Sequence, residues 1–207
     1  MKKRIVLFLS ALFSLALSSC SQTSEPLYNG SPEALICQEA DLPGEYILLE
    51  DLSGARPNED LSIDMDDPDA STRYIEATGR LEGWENRFML TEPTQTLPGY
   101  VLCQVVTFAS AEGASEALLW PSSEQREVIE TERQLGEAMS VTQRPFEAPD
   151  GSPWMDYRVE FTYHNLLGAV STYAPESIAT PDDALDIAET LFQRFQDPST
   201  ASGTPLP

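Results

Sequence analysis

Hydrophobic and polar positions alternate most clearly between Trp154 and Tyr163. Met155, Tyr157, Val159, Phe161 and Tyr163 share one parity, and Asp156, Arg158, Glu160 and Thr162 share the other. A period of two predicts a half-exposed strand. Tyr100 to Ala109 reads differently. Leu102, Val106 and Phe108 on one parity and Val101, Cys103 and Val105 on the other are all apolar, the pattern of a central strand covered on both faces. Arg80 to Leu90 is expected to pair with it through a loop holding Pro-Thr and Leu-Pro-Gly. Further strands are expected at Tyr46–Leu49, after Pro43-Gly44, and at Ala138–Arg144, before the turn Pro149-Asp150-Gly151. His164-Asn165 reads as the turn into a last strand ending near Tyr173.

Helical spacing appears where the alternation stops. Leu185, Ala188, Leu191, Phe192 and Phe195 form a stripe at period 3.6. Thr180 is its expected N-cap, with Pro181 at the first position and Asp182 and Asp183 in the first turn, where the helix dipole favours negative charge. Ser110 is expected to cap a helix running to Trp120 and stopped by Pro121. Ala70 to Thr78 reads as a short helix ended by Gly79. Ser123 to Leu135 reads as another helix, with Val128, Ile129 and Leu135 as its apolar positions.

The fold class that follows is α+β, an antiparallel sheet backed by helices. Strands then helix over residues 46–135, and again over 138–196, suggest two duplicated βββα halves. That element order resembles the α/β/α sandwich of PsbP/Mog1-type lipoproteins. The resemblance is one of topology, and it implies no functional residues.

The N-terminus carries a separate signal. Met1-Lys2-Lys3-Arg4 is basic, and Ile5 to Leu17 is apolar apart from Ser10 and Ser14. The run is too short to span a bilayer, which takes about 20 apolar residues, and it fits an export signal. Its end, Leu17-Ser18-Ser19-Cys20, resembles the lipobox of bacterial lipoproteins. The resemblance implies that residues 1–19 are removed and that Cys20 becomes a lipidated first residue carrying at least two acyl chains, enough for stable anchoring. Ser21, rather than Asp, implies sorting to the outer membrane where the envelope has two membranes. Residues 20–34 are expected to form a flexible tether, 35–197 the domain, and 198–207 a disordered tail rich in Pro, Ser and Thr.

Charge narrows the choice of partners. The chain has 34 acidic residues and a formal net charge of −22, and beyond the signal it holds nine arginines and no lysine. Such a surface repels nucleic acid and anionic headgroups. Membrane attachment would then come through the lipid, and the other expected partners are an envelope protein or a small ligand. With Cys20 used, Cys37 and Cys103 remain, and in an exported chain two cysteines suggest a disulfide.

Catalytic constellations are sparse. His164 is the single histidine, placed at a turn, and no serine sits in G-x-S-x-G. No cofactor-binding motif appears. One histidine and two scattered cysteines cannot form a zinc site. Asp60, Asp64, Asp66, Asp67 and Asp69 are a weak calcium candidate, because the EF-hand register fails: from Asp64, position 6 is Asp69 rather than Gly. Trp84, Phe88, Trp154, Tyr157, Phe161, Tyr163 and Tyr173 lie at strand periodicity, where core packing accounts for most and a sheet face lined by some would make a cleft. The expected function is a non-catalytic binding or interaction module. The alternative is a carboxylate-dependent hydrolase of the envelope, motivated by acid abundance.

Overall fold

The computed structural model of the chain describes residues 27–62, 67, 69–92, 94, 96–121 and 125–197. The export signal, Cys20, Asp64, Asp66 and the tail 198–207 lie outside them. The elements are β1 (Tyr46–Leu48), β2 (Gly54–Ala55), α1 (Ala70–Thr78), β3 (Arg80–Leu90), β4 (Tyr100–Phe108), α2 (Ala111–Leu118), β5 (Glu127–Val128), β6 (Ala138–Glu147), β7 (Pro153–Tyr163), β8 (Leu166–Pro175) and α3 (Pro181–Gln196).

All strands join one antiparallel sheet in the order β1-β3-β4-β8-β7-β6-β5, with β2 also on β3. Its long strands read as a palindrome, 3-4 then 8-7, about the antiparallel pair β4 and β8. Each half ends in a helix, as the duplicated arrangement requires. The two helices take opposite faces. α3 packs on the face of Val101, Cys103, Val105, Val159, Phe161 and Val170. α2, with α1 beside it, packs on Val106, Phe108, Leu167 and Ala169. β4 is therefore apolar on both parities because both of its faces are covered.

Local signals explain most boundaries. Gly79 adopts a left-handed conformation (φ 62°) and ends α1. The Ser110 hydroxyl accepts from the Gly113 N–H and starts α2. α3 starts after Thr180, whose hydroxyl donates to the Asp183 carboxylate at 2.9 Å and makes no capping bond to the helix backbone.

Three expectations change. The stretch from Ser123 to Leu135 is not a helix among its described residues: Glu127–Val128 is a short edge strand on β6, and the Ile129 N–H donates to Val141 O. With only three apolar positions, that stretch had no stripe able to bury a helix. Secondly, β7 is not half-exposed. Asp156 is 1% exposed and Thr162 is fully covered, so its polar parity is enclosed at these positions and only partly open at Arg158 and Glu160. Thirdly, docked chain begins before Leu35. The Tyr28 N–H donates to Asn165 Oδ1, and Asn165 Nδ2 donates to Tyr28 O and Phe108 O. That network ties the N-terminal segment to the two-residue hairpin between β7 and β8. Cys37 and Cys103 form a disulfide, both buried, with Cα atoms 6.1 Å apart, and it fastens the same segment to central β4.

Candidate functional site

Strand register defines the face opposite α3. Reading across the sheet, one row is Glu85, Gln104, Ala169, Glu160 and Ser140; the next is Arg87, Leu102, Ser171, Arg158 and Thr142. A third holds Tyr100, Tyr173, Asp156 and Arg144, with Trp154 opposite Phe146 beyond it. Helices cover the Val106–Leu167 end of this face. The rest carries two adjoining depressions.

The first is an apolar cleft of about 610 Å³. Four aromatic rings shape it: Trp154 lies 6.2 Å from both Tyr100 and Phe146, and Phe146 lies 6.1 Å from Tyr173, between ring centres. Gly99 makes room for Trp154, since a Cβ there would meet the indole at 3.1 Å. The indole N–H donates to Ser152 Oγ at 3.0 Å, which fixes the ring's orientation. Leu49, Leu52 and Leu102 complete the apolar wall.

The second is a polar groove of about 920 Å³. Six of the nine arginines beyond the signal meet on or beside this face: Arg56, Arg80, Arg87, Arg126, Arg144 and Arg158. Among the described residues their ion pairs go to three carboxylates, Glu85, Asp156 and Glu160, in a chain whose net charge is −22. Glu85 Oε1 accepts from Arg56 Nη2 (3.0 Å) and Arg87 Nε (2.7 Å). Asp156 accepts a two-pronged bond from Arg126 (2.6 and 3.0 Å) and one from Arg144 (3.1 Å). Arg158 Nη2 donates to Glu160 at 2.9 Å and reaches toward Gln104 Oε1 at 3.4 Å.

Arg80 differs from these. A bulge at β3 shifts the register between Arg80 and Glu82, so that Arg80 pairs with Phe108. The extra residue, Leu81, is exposed, and Arg80 is re-aimed to the groove side. Its guanidinium lies across Gly83, where a Cβ would meet Nη2 at 2.5 Å. It is 4% exposed, yet its hydrogen bonds go to neutral oxygens, Asn58 Oδ1 and Arg56 O at 2.7 Å. Burial lowers its pKa from the ordinary guanidinium value. Tyr74 stands over the groove with its ring edge-on to Trp120 at 5.3 Å. Burial pushes its phenol up to about 12, against the opposing pull of Arg80.

The residues singled out from sequence are scattered. Trp154 and Tyr173 line the cleft, whereas Phe88 and Phe161 are core and Trp84, Tyr157 and Tyr163 pack against it. Asp60 closes a 3-10 turn at Asn58–Asp60, and Asp69 precedes α1. Asp67 pairs with Arg73 at 2.5 Å, which holds its carboxyl below the usual range. Among the described residues no three His, Cys, Asp or Glu side chains come together as a metal site. His164 sits at the hairpin tip, where its backbone N–H and its Nδ1 both lie 3.2 Å from Glu137 Oε1. Sequence reasoning missed the arginine cluster together with Tyr100 and Phe146. Strand parity could have placed Arg87 and Arg158 on one face each, but their meeting depends on β4 and β8 lying between β3 and β7.

No protein-family model matches the chain, and no curated protein matches it. Among solved structures, the chain is similar to the extracellular domain of PknH from Mycobacterium tuberculosis. The identity is 14% and the TM-score 0.48, over 83% of this chain and 99% of that one.

Proposed function

We propose that the chain is an exported, non-catalytic binding module, held at an extracytoplasmic membrane surface by lipid on Cys20 and taking its ligand on the open sheet face. In an envelope with two membranes the attachment is to the outer one. The observation that carries the binding reading is the aromatic cleft, set beside a cationic groove on a face the helices leave open. Pockets that combine apolar walls with a few placed polar groups are the usual form of small-ligand sites. The carboxylates of this face suit a hydrolase poorly. Each is spanned by a guanidinium, and Glu85 and Glu160 stand three strand spacings apart, about 14 Å at ~4.8 Å each. Two carboxylates flanking a glycosidic bond lie roughly 5–9.5 Å apart.

Native mass spectrometry tests the binding reading. The full chain, incubated with a small-molecule extract of the cell envelope, retains an added mass, and Trp154→Ala with Tyr100→Ala loses it. No added mass on either protein refutes the reading. Attachment is tested separately: Cys20→Ala releases the protein from the membrane fraction or leaves the signal uncut, and unchanged mass and location rule it out.

A further inference from the structure

Arg80 is buried on this face without a direct ion pair among the described residues. A buried cation is ordinarily paired with a carboxylate, because desolvation costs several kcal/mol per ion. Among the described residues Arg80 bonds only an amide oxygen and a carbonyl, and the Glu82 carboxylate acts on it through space without an ion pair. Its neighbours across the groove point the same way. Arg158 spends one nitrogen on Glu160 and extends toward Gln104. Arg87 engages Glu85 through Nε and lines the groove. The Tyr74 hydroxyl makes no hydrogen bond among the described residues, and it senses the charges of Arg80, Glu160 and Arg158. Four arginines against two glutamates line the groove.

We propose that the groove between Arg80, Arg158 and Tyr74 binds an oxyanion group, a phosphate or a carboxylate, of a small ligand. The inference rests on the binding-module reading and specifies its ligand class. Guanidinium groups suit such oxyanions because their planar N–H forks match the oxygen geometry. The phenol adds a neutral donor from the opposite wall. Arg87 lines both the groove and the aromatic cleft, so a ligand anchored by its anion can lay an apolar portion toward Trp154. The surrounding negative surface repels anions in general, which leaves the groove as the place where one is stabilised.

The test is a titration of the isotope-labelled full chain, in detergent and at constant ionic strength set by chloride, with inorganic phosphate and separately with acetate. The amide signals of Gly83, Gln104 and Val106 shift saturably with at least one of the two. A response to phosphate alone assigns a phosphorylated ligand, and a response to acetate alone a carboxylate. Tyr74→Phe removes a hydroxyl that the fold does not use and weakens binding about tenfold, the size of one hydrogen bond to a charged group. Arg80→Met abolishes the response. Shifts that fail to saturate, that map elsewhere, or that are equal in wild type and both variants overturn the proposal. If the envelope extract still loads the protein while neither anion shifts these signals, the anion site falls and the binding module stands. If the extract also leaves no mass, both fall.

Discussion

Replacing Asp156 with alanine should remove a large share of the domain's stability, although it deletes only a few atoms. Asp156 is 1% exposed and the Arg126 side chain 8% exposed. Arg126 gives the carboxylate two bonds and the Asp156 carbonyl a third, at 3.2 Å, and Arg144 adds one more. Without the carboxylate, the Arg126 guanidinium loses its two-pronged charge partner, while its bonds to Thr142 Oγ1 at 2.9 Å and to the Asp156 carbonyl stay. Breaking one side of a buried pair costs about 3–5 kcal/mol. Total stability of a domain is about 5–15 kcal/mol. The Arg158–Glu160 pair is a built-in control: its side chains are 23% and 27% exposed, and Glu160→Ala should cost about 1 kcal/mol or less. Urea unfolding separates the two. At an m-value of about 2 kcal/mol/M, Asp156→Ala moves the midpoint down by roughly 2 M with m unchanged. Arg126→Met combined with Asp156→Leu recovers much of the loss, since a buried pair replaced by apolar groups is often near neutral. A midpoint for Asp156→Ala no lower than that for Glu160→Ala would refute the reasoning.

Other perturbations have equally definite outcomes. Cys37→Ala with Cys103→Ala opens a crosslink spanning 66 residues and should cost about 4 kcal/mol in the chain-entropy model; a melting temperature insensitive to the pair of changes would contradict this. Burial raises both Tyr46, 5% exposed, and Tyr74 to about 12. The stability these phenols confer is therefore complete below pH 10 and lost as pH rises through 12; absorbance titration should show both ionising last, and Tyr46→Phe should flatten the alkaline loss. Gly113→Ala gains about 1 kcal/mol of helix propensity but places a Cβ 2.0 Å from Thr78 O, so thermal melts should show net destabilisation rather than a gain. With Trp154 as the sole tryptophan and the protein on vesicles of brominated lipid, fluorescence should be quenched no more than by a soluble control; strong quenching would place the cleft on the bilayer.

The sequence was most legible where one periodicity acts alone. β4 shows two apolar parities because helices cover both of its faces, and α3 shows its stripe because a single face of it is buried. The helix expected from Ser123 fails for the converse reason: a segment with Val128 71% exposed is placed by pairing to β6, not by a face of its own. The polar parity of β7 misled differently. Asp156 looks solvent-facing in a one-strand pattern, and the arrival of Arg126, just before β5, and of Arg144 from β6 accounts for its burial. The arginine groove was illegible for the same cause. Its members are spread over the chain from Arg56 to Arg158, and the strand order that unites them leaves no trace in local composition.

The same topology fixes where the site stands relative to the attachment point. Tyr28 is tied by Asn165 to the hairpin after β7, while Trp154 lies near the other end of that strand, nine residues before Tyr163. At about 3.4 Å per residue this separates cleft from entry point by roughly 30 Å. Seven residues separate Cys20 from Tyr28, and the eight steps between them have a fully extended reach of about 27 Å. For the cleft end of the strands to point at the bilayer on the proposed lipid, the domain would have to invert and draw the tether to its full length, losing its conformational entropy. The upright arrangement needs no such extension. The acidic surface reinforces it, because it has no attraction to anionic headgroups. On the proposed lipid, tether length and charge would therefore both favour an orientation with the aromatic cleft and its arginine groove away from the membrane, toward the aqueous side.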